Sequence, residues 1–161
     1  MSRFKVHFLR NYWWYAAAGV TISLALYANN RLKLELLASL MGGIVSFSYF
    51  FQKQKLEEIS LFRSLFDKFN ERYNQMNERL NKILVLEQNS SLSLNDVILL
   101  YDYFNLCAEE YLYYRLGYIL PEVWQSWYNG MLIYYGCPHI RALWDKELKA
   151  NSYYGFKISL T

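Results

Sequence analysis

Four charged side chains, Asp102, Glu109, Glu110 and Arg115, form the densest polar group in an otherwise apolar stretch of this chain. Asp102 and Glu109 stand seven residues apart, two turns of a helix, and share a face, whereas Glu110 and Arg115 do not stack ideally. Paired carboxylates can serve as acid and base in a glycosidase or nuclease. That chemistry needs a concave site and usually further acidic or histidine partners. No such set accompanies these four, so their expected role is structural: Glu109 or Glu110 bonding to Tyr, Trp or Arg groups between helices.

Other routes to catalysis are equally thin. His7 and His139 are the two histidines, and neither sits in a Ser/His/Asp or Cys/His arrangement that would activate a nucleophile. Cys137 and His139 offer two metal ligands where zinc needs three or four. Cys107 lies in an apolar helical pattern, as a buried thiol does, and a disulfide is not expected on a cytoplasmic face. The glycine patterns that cradle nucleotide phosphates are missing. The expectation is a protein that is not an enzyme and carries no cofactor and no metal.

The elements that position these residues begin with two uncharged stretches, Asn11 to Asn30 and Leu36 to Gln52, separated by Arg31 to Glu35. A helix needs roughly 20 apolar residues to cross the hydrocarbon core, and the second stretch sits at the short end of the spanning range. Residues 1–52 therefore read as a transmembrane hairpin and 53–161 as a cytoplasmic helical domain. An uncleaved helix fits better than a signal peptide, because a second apolar segment follows at once. Residues 1–52 carry a net charge of +4, from Arg3, Lys5, Arg10, Arg31 and Lys33 against Glu35, while residues 53–161 carry −1. Positive residues favour the cytoplasmic side, which puts both termini in the cytoplasm and the short turn outside.

Tyr12, Trp13, Trp14 and Tyr15 would anchor the first span at the headgroup level. Ser23, Ser39, Ser46, Ser48 and the Gly42-Gly43 pair are small enough to let helices approach closely, either between the spans or between copies of the chain. Neither span holds an acidic or basic residue, which argues against an ion or proton transporter.

From Leu56 to Ile83 apolar residues recur every three or four positions, with Lys, Glu, Asn and Gln between them. No Gly or Pro separates this stripe from the second span, so one helix from about Leu34 to Leu86, roughly 80 Å long, is predicted. Its aromatics Phe62, Phe66, Phe69 and Tyr73 suit a broad groove better than a coiled-coil seam. They either pack on the chain's own later helices or join two copies. With Arg72, Arg79, Trp124 and Trp127 they are the candidates for binding a partner. Arg63, Lys68, Arg72, Arg79 and Lys82 alternate with Glu71 and Glu78, the mixture of an ordinary solvated face, although a nucleoprotein could rest there.

After a polar break, Glu87 to Leu92, Ser93 with Asp96 predicts a capped helix from Leu94 to about Leu116, stopped by Gly117. Its apolar face reads Leu94, Val97, Ile98, Tyr101, Phe104, Ala108, Tyr111 and Leu112. Pro121 and Pro138 open two further helices. Asn151 to Thr161 has no caps or period, includes a β-like FKISL, and either clamps the bundle or stays loose. The fold class is all-α. The sixteen Tyr and five Trp exceed what so small a domain can hide, so some should face an oligomer contact or lipid headgroups.

The segment from Tyr103 to Met131 resembles a pattern in uncharacterised small bacterial membrane proteins, which carry one or two spans before a charged helix and a compact helical region. The matching residues are Phe104, Leu106, Glu109, Glu110, Tyr113, Arg115, Gly117, Trp124 and Trp127. This likeness covers about thirty residues and specifies no reaction. The layout as a whole is similar to that of the membrane effectors encoded beside retron reverse transcriptases in bacterial antiviral defence. That similarity implies a toxin of abortive infection, restrained by a cytoplasmic reverse transcriptase with its RNA-linked DNA and disrupting the inner membrane when released. The alternative is a non-toxic tethered scaffold that recruits a cytoplasmic protein or nucleoprotein. The partners expected are the lipid bilayer, a cytoplasmic regulator and further copies of the chain.

Overall fold

The computed structural model describes residues 3–86 and 91–159, with side chains from residue 11 onward. Most of the polar break predicted at Glu87 to Leu92, and the side chains of Arg3, Lys5, His7 and Arg10, lie outside the described residues. The fold is all-helical, and among the described residues there are no strands. The described residues form five helices in order: α1 (Arg3–Ala28), α2 (Leu34–Leu84), α3 (Leu94–Arg115), α4 (Pro121–Tyr135) and α5 (Pro138–Leu148). The chain forms two compact units, one up to Leu61 and one from Phe62, and α2 contributes to both without a break.

In the first unit α1 and the first part of α2 run antiparallel. The Tyr12 ring stacks on Phe51 with centroids 6.4 Å apart. Further along, Gly19 faces the tip of Ile44. Asn30 reverses the chain in the left-handed region, with φ 54°. Arg31 N–H donates to the Leu26 carbonyl at 2.9 Å and Asn30 N–H to that of Tyr27 at 3.0 Å, a Schellman ending that asparagine tolerates almost as glycine does. Among the described residues α2 is the helix long and apolar enough to cross a membrane; its best window has a mean hydropathy of 1.6 and is 6 % buried.

The second unit packs the rest of α2 with α3, α4 and α5 around Phe104 and Trp144. These two rings are fully buried and stack at 4.4 Å, tilted by 15°. Leu80, Leu100 and Ile140 are equally enclosed. The predicted capping box forms: Asp96 N–H donates to Ser93 Oγ at 3.2 Å and Ser93 N–H to the Asp96 carboxylate at 3.1 Å. Gly117, at φ 82°, ends α3 with a second Schellman turn, Tyr118 N–H donating to the Tyr113 carbonyl at 3.0 Å.

The predicted face of α3 needs correction. Leu94 and Ile98 are exposed, whereas Leu99, Leu100, Tyr103, Leu106 and Cys107 are buried. The helix is apolar nearly all round and is packed on several sides, so no single stripe can be read from its period. The last segment clamps the bundle, with Tyr153, Phe156 and Ile158 buried. Residues 156–159 of FKISL are not a strand, yet their alternation is real: Phe156 and Ile158 face inward while Lys157 and Ser159 face outward.

Candidate functional site

In the first unit the apolar surface points away from protein. Trp13, Trp14 and Tyr15 are at least half exposed, as are Leu36, Val45, Tyr49 and Phe50 further along. Of the expected aromatic anchor, Tyr12 alone turns inward, against Phe51. Of the small residues expected to allow close packing, Ser23 is buried and Ser48 half-buried, while the others face outward. A Cβ added at Gly42 or Gly43 would meet nothing within 4 Å, and Ser39 and Ser46 are exposed beside them. The contacts between them run from Tyr12 with Phe51 to Gly19 with Ile44, and Ala16, Ser23, Met41 and Ser48 of the same helices are buried or half-buried. Ser23 fits because its Oγ–H returns to the Gly19 carbonyl at 2.8 Å. Gly19 gives little signal in the sequence because it stands alone among larger residues, whereas the Gly42-Gly43 pair draws the eye.

In the second unit the aromatic stripe of α2 packs on the chain's own helices. Phe66 stacks on Trp127 at 5.9 Å, Phe62 on Phe66 at 5.8 Å, and Phe69 is buried against Tyr113 and Trp127. The Tyr73 hydroxyl meets that of Tyr134 at 3.0 Å. Trp124 stacks on Tyr114 at 5.1 Å. Phe69 is therefore enclosed and cannot dock a partner, while Phe62, Phe66, Trp124 and Trp127 keep part of their surface open. Arg79 ties α2 to the start of α3 through the Asn95 carbonyl at 3.0 Å.

The four charged residues separate. Arg72 grips Glu109 with Nη1 at 2.6 Å from Oε2 and Nη2 at 3.3 Å from Oε1, a two-pronged pair between α2 and α3. Asp102 is exposed and takes no part. Arg115 reaches the final segment, donating to the Tyr154 carbonyl at 2.9 Å, with its guanidinium over the Tyr111 ring. Glu110 is buried, 6 % exposed, and has no hydrogen bond or ion pair among the described residues. Burial pushes its carboxyl up to about 8, opposed by the positive charge of Arg72 and assisted by the negative charge of Glu109.

Glu110 lines a cavity of about 170 Å³ between α2, α3 and α4, together with Asn70, Tyr73, Tyr103, Ser126, Trp127 and Tyr134. Burial also pushes the Cys107 thiol well up, as expected of an inert enclosed cysteine. Cys137 and His139 touch at 3.4 Å, and His139 Nε2 lies 3.3 Å from the Ile83 carbonyl, so this pair helps join α5 to α2. Among the described residues no three metal-ligating side chains cluster.

Set against protein-family models, curated proteins and solved structures, the chain matches none.

Proposed function

We propose that this chain is a two-span protein of the bacterial inner membrane, with both termini cytoplasmic, and that its spans are the active element of a defence effector. The observation that carries this reading is the apolar window of α2, which is 6 % buried by protein. A soluble helix of that hydropathy would be covered by its own fold. Covering it with lipid removes the same surface from water, at roughly 25 cal/mol per Å² of apolar area. The antiparallel partner α1 and the +4 charge of residues 1–52 support a hairpin inserted from the cytoplasm.

On this reading the helical unit from Phe62 onward is the handle by which a cytoplasmic regulator restrains the spans. The resemblance in layout implies a reverse transcriptase with RNA-linked DNA as that regulator, and release of the handle would let the spans disrupt the membrane. The exposed small-residue face at Ser39, Gly42, Gly43 and Ser46 is where copies of the chain would meet in the bilayer.

The test is expression of the full chain alone in a bacterial host, with dye uptake and membrane depolarisation as readouts. Both are expected to rise, and both are expected to be lost when Gly42 and Gly43 become leucine. Normal growth with an unchanged membrane potential, at a verified membrane level of the protein, overturns the effector reading and leaves the tethered scaffold.

A further inference from the structure

The cavity between α2, α3 and α4 has an unusual lining for its size. Its about 170 Å³ holds roughly five or six waters at the ~30 Å³ each takes in the liquid. The exposed Ser126 and half-buried Asn70 put its mouth at the surface. Its aromatic lining includes the buried Tyr103 and Tyr134 and the half-buried Trp127. Glu110 is the one carboxylate of the lining, and the cation that acts on it, Arg72, makes its hydrogen bonds to Glu109 instead. A buried carboxylate without a partner costs several kcal/mol, so it either keeps its proton or meets a cation.

A cation that displaces the proton meets further acceptors in the lining. Asn70 uses its amide N–H on the Phe66 carbonyl at 2.8 Å, leaving its oxygen as an acceptor. The Tyr73 hydroxyl lies 3.0 Å from that of Tyr134, which in turn donates to Asn81 Oδ1 at 3.4 Å. The lining thus offers acceptors, a carboxylate and aromatic faces, which together suit a donor that carries positive charge. Aromatic faces attract cations by about 0.5 to 2 kcal/mol or more as desolvation increases. A metal ion would need further carboxylate, thiolate or imidazole ligands, and none of the lining residues supplies one.

We propose that this cavity binds a small organic cation, an alkylammonium group, with the Glu110 carboxylate as counter-ion and the rings of Tyr103, Trp127 and Tyr134 as walls. The charged groups facing Glu110 are Arg72 on α2 and Glu109 beside it; Tyr103, Cys107 and Tyr134 are all pushed upward by burial and stay neutral near neutral pH. Because Glu110 holds a proton up to about pH 8, a cation must displace it, and affinity falls about tenfold for each pH unit below that point. Gly130 lies on the cavity wall, and a Cβ there meets nothing within 4 Å, so a larger side chain can enter the cavity without touching backbone.

The experiment is calorimetric titration of the full chain in detergent micelles with n-butylammonium chloride, at about pH 9 and about pH 6, with n-butanol and sodium chloride as controls. Saturable binding of the ammonium is expected at the higher pH, at least about tenfold weaker at the lower one and in Glu110→Gln. Gly130→Leu, which keeps the carboxylate but fills the space, is expected to abolish it. Nα-acetyl-lysine amide, run beside butylammonium, separates a protein side chain from a free amine as the natural source: tighter binding assigns a lysine, weaker binding a free amine. No saturable heat with the wild-type chain at either pH overturns the proposal, as does equal binding by Glu110→Gln or by a Gly130→Leu chain that melts normally.

Discussion

Glu109 and Glu110 are consecutive on α3, yet the first sits 2.6 Å from the Arg72 guanidinium while the second is buried without an ion pair. One residue's rotation about the helix, roughly 100°, moves a carboxylate from the half-exposed seam with α2 into the cavity wall. The two should therefore respond oppositely to mutation.

Replacing Glu110 with Gln changes how stability depends on pH. The folded carboxyl keeps its proton up to about 8, while in the unfolded chain it titrates near its ordinary 4.5. Between those values the folded state binds more protons than the unfolded state, so stability falls as pH rises, by up to about 1.4 kcal/mol per pH unit. Below 4.5 both states hold the proton, and above 8 neither does, so the loss is complete there. Glu110→Gln is expected to match the wild type near pH 4 and to exceed it above pH 8. Urea unfolding followed by tryptophan fluorescence across this range checks it; parallel curves would sink the idea.

For Arg72 and Glu109 the expected loss is smaller. Both side chains are about one-third exposed, so solvent screens the pair, and the coupling energy should be about 1 kcal/mol. A double-mutant cycle with Arg72→Met and Glu109→Gln measures it directly. Added salt should reduce the coupling only partly, because the geometry is two-pronged and half-buried.

At Trp144 the large cost is volume. The side chain is fully buried, stacks on Phe104 and meets Tyr103, Tyr135 and Phe156 at their rings. Trp144→Ala should cost roughly 3 to 5 kcal/mol. Its Nε1–H, however, is enclosed without an acceptor, a defect of about 1 to 3 kcal/mol that Phe does not carry. Trp144→Phe is therefore expected to lose far less than its change in size suggests, and equal losses for the two variants would contradict this.

How much of this was legible in the sequence follows local signals. Ser93 with Asp96, Gly117, Pro121 and Pro138 mark helix ends correctly because caps and proline geometry act within a few residues. The continuity of α2 is readable for the same reason, since no breaker interrupts it. What failed was the choice among faces. In α3 the apolar residues surround the axis, so only the positions of α2, α4 and α5 decide which are buried. The pairing of Arg72 with Glu109, across 37 residues of chain, and the isolation of Glu110 one position later, depend on a helix rotation that no local pattern encodes. The final segment is likewise featureless by itself, and only Arg115 and the core give Tyr153, Phe156 and Ile158 somewhere to bind.

Three glycines offer a contrast in sign. Gly117 and Gly155 hold φ 82° and 81°, where a Cβ is strained by about 1 to 2 kcal/mol, so alanine should destabilise at both. Gly130 is helical with open space around its Cβ position, so Gly130→Ala should stabilise by roughly 0.5 to 1 kcal/mol. Thermal melts of the three variants decide it, and a uniform sign across them would be inconsistent with this backbone.

In the first unit, Gly19 and the Gly42-Gly43 pair should separate two kinds of packing. A Cβ at Gly19 lies 3.2 Å from Ile44 Cδ1, the flexible tip of a side chain, so alanine is accommodated and leucine is not. Nothing lies within 4 Å of a Cβ at Gly42 or Gly43, so leucine there leaves the α1–α2 seam intact. Cysteines placed at Tyr12 and Phe51, whose rings stack in the wild type, report that seam through oxidative cross-linking in membranes, with the bond located by peptide mapping. The cross-link is expected to form at the wild-type rate with Gly43→Leu and to slow sharply with Gly19→Leu. Equal rates in both would mean that Gly19 does not set the approach of the helices. If Gly43→Leu also abolishes membrane depolarisation while the cross-link persists, then the proposed activity depends on the outer face of α2, the face proposed for contact between copies, and not on the α1–α2 seam.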